Sequence, residues 1–384
     1  MSQDIVISGP VRTPIGRYGG GLASLPAVDL GVIAARAAME RADVPPDAVD
    51  QTIFGHARQA GCGPNGARQV AVRAGIPVER PAYAINQACL SGLQAILAAA
   101  RAILAGEAEI VLAGGMESMS RVPYMLDARW GFRMGHKEAV DLMARDGFLD
   151  PLSGKLMGET AETLARRYDI GRAEQDAYAA ETQRRCEEAR RSGRLREEIV
   201  PIGEVDRDEH PRDGVTPESL AKLPAVFDAS GTVTAGNSSG ITDGAAAMIV
   251  LSADAARRRG VRPWARITGW RVDGVDPAIM GIGPVPAVRN LLRATGVAME
   301  AIDLIELNEA FAAQVLAVDR ELRFDRARLN VNGGAIALGH PIGCSGARIV
   351  VTLLHELARR AARTGLATLC VSGGMGGAML LERA

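Results

Sequence analysis

Apolar positions in the first third of the chain follow two alternating rhythms. The short runs DIVISG (4–9), QTIFGHA (51–57) and AYAIN (82–86) each give way to stretches with apolar residues three and four apart, predicting strands followed by amphipathic helices near 28–42, 64–74 and 90–106. In the last of these helices Leu90, Leu93, Ile96, Leu97, Ala100, Ile103 and Leu104 share one face, and Gly106 ends it. AEIVLAGG (108–115) reads as a further strand. From about 117 to 242 the rhythm changes to polar helices and irregular loops, such as DIGRAEQDAYAAETQRRCEEARRSGR, whose charges predict solvated helix faces. AAAMIVLS (245–252) restores buried-strand character, so the middle region reads as an insertion into a mostly parallel, helix-covered sheet.

The remainder repeats the first part. WARITGW (264–270) parallels the opening strand and a helix near 286–296 follows; DLIELNEAFAA (303–313) parallels QTIFGHARQA, and LNVNGG (329–334) parallels AYAINQA. CSGARIVVTLLHELARR (344–360) parallels CLSGLQAILAAARAI, each a Ser-Gly opening a helix. TLCVSGGMGGAMLLE (368–382) parallels IVLAGGMES, both read as a strand running into a Gly-Gly-Met turn. Matches in one order predict an internal duplication, two similar sheets packed through shared helices. Ligands of such sheets bind beyond the carboxyl ends of strands, where Cys89, Asn332 and Cys370 fall.

With 384 residues the chain exceeds one ordinary core. Its 44 basic and 45 acidic residues are dispersed, leaving no footprint for nucleic acid or an anionic membrane surface, so small molecules and further copies of itself are the expected partners. The five cysteines form no CxxC pair, which fits a reduced, cytoplasmic compartment. MSQDIVISGPVRTP lacks the basic stretch and long apolar run of a secretory leader, and no apolar run approaches the roughly 18 residues of a membrane span.

Cys89 stands where a strand turns into a helix. There it is either a small buried hydrophobe or a nucleophile whose thiolate is stabilised, and its pKa lowered, by the N–H groups and dipole of the helix start. His340, in the glycine-rich GHPIGCSG (339–346), occupies the place in the second half that Cys89 holds in the first, so the two loops face each other and the imidazole can accept the thiol proton. His56, His136, His210 and His355 read as structural. Cys370, at a strand end before SGGMGG, is either core or a base beside an oxyanion site made by backbone N–H groups. Asn308 and Glu309 in NEAF cap the following helix or orient a water.

The sequence resembles the thiolases along essentially its whole length. The likeness is carried by VRTPIGRYGG, Cys89 with SGLQAI, GGMESMSRVPY (114–124), MGETAE (157–162), VTAGNSSGITDGAAA (233–247), NEAFAAQ (308–314), NVNGGAIALGHPIGCSGAR (330–348) and CVSGGMGGA (370–378), while RWGFRMG (129–135) is similar to the short-chain, acetoacetyl-CoA members. The resemblance implies duplicated mixed sheets in a five-layered α-β-α-β-α arrangement, with halves at 1–116 plus 243–257 and at 258–384 and an inserted loop domain at 117–242.

It further implies reversible Claisen condensation of two acetyl-CoA to acetoacetyl-CoA, or thiolysis of 3-ketoacyl-CoA. Cys89 would take the acyl group, His340 would activate it, and Cys370 would be the α-carbon base. His340 with a water on Asn308 would form one oxyanion hole, and the N–H groups of Cys89 and Ser372 the other. Ser239 and Arg212 would contact the pantetheine and adenine ends of coenzyme A, and Met157 and Phe311 would wall the acyl pocket. Coenzyme A is thus substrate and product, with no metal and no tightly bound cofactor, and a homodimer or homotetramer is expected, paired through AYAIN with 59–69 near the partner's site.

Leu90, Ser372 and Leu156 depart from the family's usual residues, which bears on chain length and rate. Alternatives are a longer-chain 3-ketoacyl-CoA thiolase and a non-catalytic acyl-CoA or lipid-binding relative. A ketosynthase would pair its cysteine with two histidines or a histidine and an asparagine, and Cys370 in the third position favours a thiolase.

Overall fold

The computed structural model describes residues 4–384; Met1–Gln3, the start of the stretch read for a leader, lie outside the described residues. The first sheet unit contains β1 (Ile5–Arg12), β2 (Gln51–Gly55), β3 (Ala82–Ile85), β4 (Ile110–Ser118) and β5 (Thr242–Ser252) in the order β3-β2-β4-β5-β1. The second contains β6 (Ala265–Gly274), β7 (Leu304–Leu307), β8 (Thr364–Val371) and β9 (Met375–Arg383) in the order β6-β9-β8-β7. In each unit the crossover strands pair in parallel and the last two pairings are antiparallel. Among the described residues, Val6 with Arg266 and Ile7 with Ala265 join the units edge to edge.

Two expectations about the repeat need correction. LNVNGG forms no strand to match AYAIN: only Leu329 bridges to Ile305, and the chain then turns at Asn330, whose φ is +45°. The Asn330 side chain completes the ladder instead, accepting from the Leu307 N–H at 2.9 Å and donating to the Leu307 carbonyl at 2.9 Å. Gly114-Gly115-Met116 is not a turn but the middle of β4, whereas Ser372-Gly373-Gly374 is a hairpin turn with both glycines at positive φ. In the first half the chain instead leaves the sheet at Ser118 and returns opposite it at Asp243, so the intervening segment stands where the second half has its hairpin.

Helices α1 (Ala27–Ala42), α2 (Gly66–Arg73), α3 (Ser91–Leu104), α4 (Met157–Arg167), α5 (Arg172–Arg191), α6 (Pro284–Thr295), α7 (Ala312–Leu322) and α8 (Ile342–Arg360) complete the frame. One core lies between α1, α2 and the outer face of the first unit, and another between α6, α7 and the outer face of the second. The largest lies between the units, around α3 and α8. Strand residues alternate between cores as the two-residue period requires: Leu366 and Leu380 face outward to α6 and α7, while Ala367, Leu369 and Leu381 face α3 and α8. The layers are α-β-α-β-α, as the resemblance implied.

The segment between Ser118 and Asp243 is tied to β1 by buried charge: Arg12 meets Glu198 at 2.7 Å and Asp208 at 2.6 Å, all three shielded from solvent. Among the described residues no helix is long and apolar enough to cross a membrane.

The starts of α3 and α8 touch backbone to backbone. A Cβ on Gly92 would lie 2.7 Å from the Ala347 nitrogen, and one on Gly346 would lie 2.4 Å from the Leu93 nitrogen. Gly115 is equally tight, with a Cβ 2.3 Å from the Gly343 carbonyl. Gly92→Ala is therefore expected to lower unfolding free energy by about 1–3 kcal/mol, the usual cost of overpacking, read as a lower urea midpoint at unchanged slope.

Candidate active site

Cys89 lies in a single 3-10 turn, Ala88–Leu90, between β3 and α3. Ala88 is held at a φ of +46°, a conformation a non-glycine residue keeps only when its surroundings impose it. The Ser91 hydroxyl does so, donating to the Ala88 carbonyl at 2.7 Å and accepting from the Gln87 N–H at 2.9 Å, while Asn86 accepts from the Ala88 N–H at 3.1 Å. Leu90 points away from the site and fills the space beside Gly377, where a Cβ would come within 2.3 Å of Leu90 Cδ1.

Ser345 is the counterpart of Ser91 in the repeat and serves His340. Its hydroxyl donates to the Pro341 carbonyl at 2.9 Å and stands 2.6 Å from His340 Nδ1. With that hydroxyl hydrogen committed, Nδ1 is the nitrogen that carries the ring proton and Nε2 is left as the acceptor. Asn308 Nδ2 lies 3.5 Å from Nε2. The loop is fixed by the His340 N–H to the Gly240 carbonyl at 3.0 Å, and by Gly339, whose φ of +102° only glycine adopts comfortably.

The structure brings Cys89, His340, Ser372, Ser239, Met157 and Phe311 to one cavity of about 370 Å³, largely apolar and completed by Arg58, Phe148, Leu156, Phe227, Met280 and Ile342. Phe227 meets Phe311 edge to face at 6.3 Å, and Gly158 admits the Phe227 ring, 2.2 Å from where a Cβ would stand. The N–H groups of Ser372 and of Cys89 itself point at the Cys89 sulfur. Cys370, wholly buried on β8, is close enough for charge on Cys89 to act on it. Arg212 does not line the cavity; it is exposed, two residues past His210, against whose ring Gly240 packs.

Electrostatics revise the expectation of a thiolate sustained by the helix start. Burial pushes the Cys89 thiol up, opposed in smaller measure by Arg58 and by the two N–H groups. His340 is lowered to about 3, first by burial and then by Arg348 and Arg58. The resting pair is a neutral thiol beside a neutral imidazole, because an apolar cavity penalises both charges. Cys370 is likewise pushed up, by burial and then by Cys89. Behind His340, Arg348 meets Glu306 at 3.4 Å, and burial raises Glu306 to about 8.

Glu309 neither caps α7 nor reaches the cavity. It accepts from Tyr178 at 2.8 Å, Thr182 at 3.0 Å, Asn330 at 2.8 Å and the Ile336 N–H at 3.1 Å, anchoring the loop that leads to His340. Asn332 is spent on Arg194 at 3.1 Å and Glu356 at 2.9 Å. Sequence reasoning overlooked Glu117, Ser345, Arg58 and Phe227. Glu117 accepts from the Ala57, Arg58 and Gly343 N–H groups at 3.2, 3.1 and 2.8 Å and so ties the two halves together. An acid within the otherwise apolar and small run IVLAGGMES was its visible signal, and the repeated Ser-Gly was that of Ser345.

Family profiles described as the thiolase N-terminal domain and the thiolase C-terminal domain match residues 5–254 and 261–383. An acetyl-CoA acetyltransferase of Pseudomonas aeruginosa is 51% identical over 99% of this chain and 100% of its own length. The crystal structure of the Bacillus anthracis acetyl-CoA acetyltransferase superposes with a TM-score of 0.97 at 46% identity, covering 100% of this chain and 99% of that one. Human mitochondrial 3-ketoacyl-CoA thiolase in complex with CoA gives 0.97 at 44% identity, covering 100% and 98%.

Two outcomes follow from the neutral pair. Iodoacetamide should alkylate Cys89 before the buried Cys186, at a rate that climbs from about pH 7 to about pH 9; a rate already flat at neutrality would mean a preformed thiolate. Because His340 is held near 3 against an ordinary 6.5, the unfolded chain binds a proton there that the folded chain refuses, so its contribution is intact above 6.5 and is lost as pH falls towards 3. His56, His210 and His355 are shifted the same way. Urea unfolding at about pH 5 should therefore give a lower free energy than at about pH 7, with a smaller gap for His340→Asn.

Proposed function

The chain belongs to the thiolase family, and we propose that it is an acetyl-CoA C-acetyltransferase, joining two acetyl-CoA into acetoacetyl-CoA and CoA and running in reverse as a thiolase. The observation that carries the site assignment is the convergence of Cys89, His340 and two sulfur-directed N–H groups on one cavity, with Cys370 buried behind them.

In this reading His340 Nε2 takes the Cys89 proton as the sulfur attacks the acetyl carbonyl. CoA leaves with that proton and the acetyl group stays on Cys89 as a thioester. With Cys89 acetylated, Cys370 gives its own proton to the vacated His340 Nε2 and is left as the thiolate that the next step needs. The Cys370 thiolate takes an α-proton from the second acetyl-CoA. The resulting enolate carbon attacks the acetyl carbonyl, the new C–C bond forms, and the bond to Cys89 sulfur breaks, the sulfur taking the proton that Cys370 had lent to His340. The oxygen of the acetyl-enzyme is held by the Cys89 and Ser372 N–H groups, and that of the enolate by His340 and a water on Asn308. Ser239 lies along the pantetheine arm and Arg212 at the adenine end. Coenzyme A is substrate and product, not a resident cofactor.

The division into halves around an inserted loop domain at 117–242 belongs to the same proposal, supported by the exit at Ser118 and return at Asp243. So does a cytoplasmic setting, supported by five unpaired cysteines. Self-association is proposed through β3, a half-buried outer strand paired on one side only. Sedimentation equilibrium at micromolar protein should return at least twice the 40.4 kDa chain mass, and a monomer would refute it.

Cys370→Ala should still gain acetyl mass on the Cys89 peptide from acetyl-CoA yet form no acetoacetyl-CoA, since acyl transfer does not use the α-carbon base; a folded variant that fails to acetylate would reverse the roles. Across 3-ketoacyl chains, acetoacetyl-CoA should have the highest kcat/KM and 3-ketohexanoyl-CoA a lower, measurable one. Met157 and Phe311 narrow the cavity, and each methylene misfit there costs about 1–3 kcal/mol.

A further inference from the structure

Arg58 is a cation without a counterion in the wall of the reaction cavity. It is 8% exposed, its Nε is buried with no partner, and among the described residues no acceptor meets any nitrogen of its guanidinium. No aspartate or glutamate is among the residues lining the cavity. Arg58 also borders a smaller cavity of about 80 Å³, whose lining, including Cys62, Ser118 and Arg121, holds no acid either. The nearby buried carboxylate, Glu117, is engaged by main-chain N–H groups, that of Arg58 among them, and not by the guanidinium.

Burying a charge unpaired costs several kcal/mol, so a guanidinium kept in an apolar wall implies an anion that meets it when the site is filled. Its surroundings indicate which part of a substrate brings that anion. Ala57, Met119, Met143 and Ile342 form one apolar cluster against which Cys89 and Phe148 pack. Arg58 adjoins this cluster and leans on Gly147, where a Cβ would stand 2.7 Å from Nε. Because Cys89 packs on this cluster, the acyl group it carries in the thiolase reading is the substrate part placed nearest Arg58, and a carboxylate is the planar anion that matches a guanidinium fork.

We propose that Arg58 binds a carboxylate at the far end of the acyl chain on Cys89, so that the enzyme also acts on 3-ketoacyl-CoA thioesters derived from dicarboxylic acids. This rests on the thiolase reading above. In thiolysis of 3-ketoadipyl-CoA, Cys89 attacks the 3-keto carbon and the C2–C3 bond breaks. The acetyl-CoA enolate takes its proton from Cys370, which regains the one Cys89 gave to His340, and the succinyl group passes from Cys89 to incoming CoA, whose thiol proton reaches Cys89 through His340. No other co-reactant is needed. The terminal carboxylate takes no part in bond making, and Arg58 acts on binding.

The test compares 3-ketoadipyl-CoA with 3-ketohexanoyl-CoA, equal in carbon number and differing in the terminal carboxylate, for wild type, Arg58→Leu and Arg58→Lys, with acetoacetyl-CoA as reference. Wild type should favour the carboxylated chain in kcat/KM by at least about tenfold. Arg58→Leu slows all three substrates, because Arg58 also favours the Cys89 thiolate, but should lower the carboxylated-to-plain ratio by about a hundredfold, chiefly through KM. Arg58→Lys, which keeps the charge and loses the fork, should fall between. Acetoacetyl-CoA turnover with no preference for the carboxylate, or an Arg58→Leu variant that leaves the ratio unchanged, overturns this assignment alone. A wild type that fails to thiolyse acetoacetyl-CoA overturns the thiolase reading and this one with it.

Discussion

The structure depends on the contact between the first turns of α3 and α8. Two helix starts can meet backbone to backbone only where neither carries a Cβ, and Gly92 and Gly346 supply that condition on the two sides. The duplicated Ser-Gly pairs explain how one motif serves two purposes. In each copy the glycine lets the partner helix close in, and the serine, one position earlier, folds back on the preceding turn. Ser91 thereby holds the left-handed Ala88 that presents Cys89, and Ser345 holds the tautomer of His340. Cys89 and His340 thus come from the two halves of the chain, and each is oriented by its own local bonds.

Glu117 turns that contact into a fixed geometry. Its buried carboxylate receives three main-chain N–H groups, two from the loop after β2 and one from the first turn of α8, and His56 stands 3.4 Å away. Bonds to a charged acceptor are stronger than neutral ones, and in a buried setting they leave little freedom for one half to slide against the other. The same carboxylate keeps Arg58 unpaired by engaging its backbone and not its side chain.

Charge in the cavity is sparse and deliberately unmatched. Cys89 and His340 rest neutral, Cys370 is protonated, and Arg58 and Arg348 supply positive potential that disfavours imidazolium and favours thiolate. In the proposed reaction, proton transfer from Cys89 to His340 therefore coincides with attack on a substrate whose developing oxyanion meets the Cys89 and Ser372 N–H groups. A site poised in this way limits reaction of the thiol with water-borne electrophiles and spends its electrostatic stabilisation in the transition state.

What the sequence determined by itself was whatever repeats locally. Strand and helix periods, the duplicated order of elements and the Ser-Gly helix openings were legible because each is a short-range pattern that either half states independently. Cys89, His340, Cys370 and Asn308 stood out as candidates for a related reason, standing at strand ends and in glycine-rich loops where the repeat put them. The tertiary structure alone decided the rest. LNVNGG stands in the place of AYAIN in the repeat, yet Asn330 turns it and lends a side chain to the ladder, an arrangement that needs Leu307 in place. Gly114 and Gly115 read as a turn by composition but are strand residues, because their missing side chains make room for Ala246 and for the start of α8. The protonation of Cys89 was likewise invisible: the helix start favours a thiolate, and the depth of burial, a property of the assembled halves and not of any segment, outweighs it.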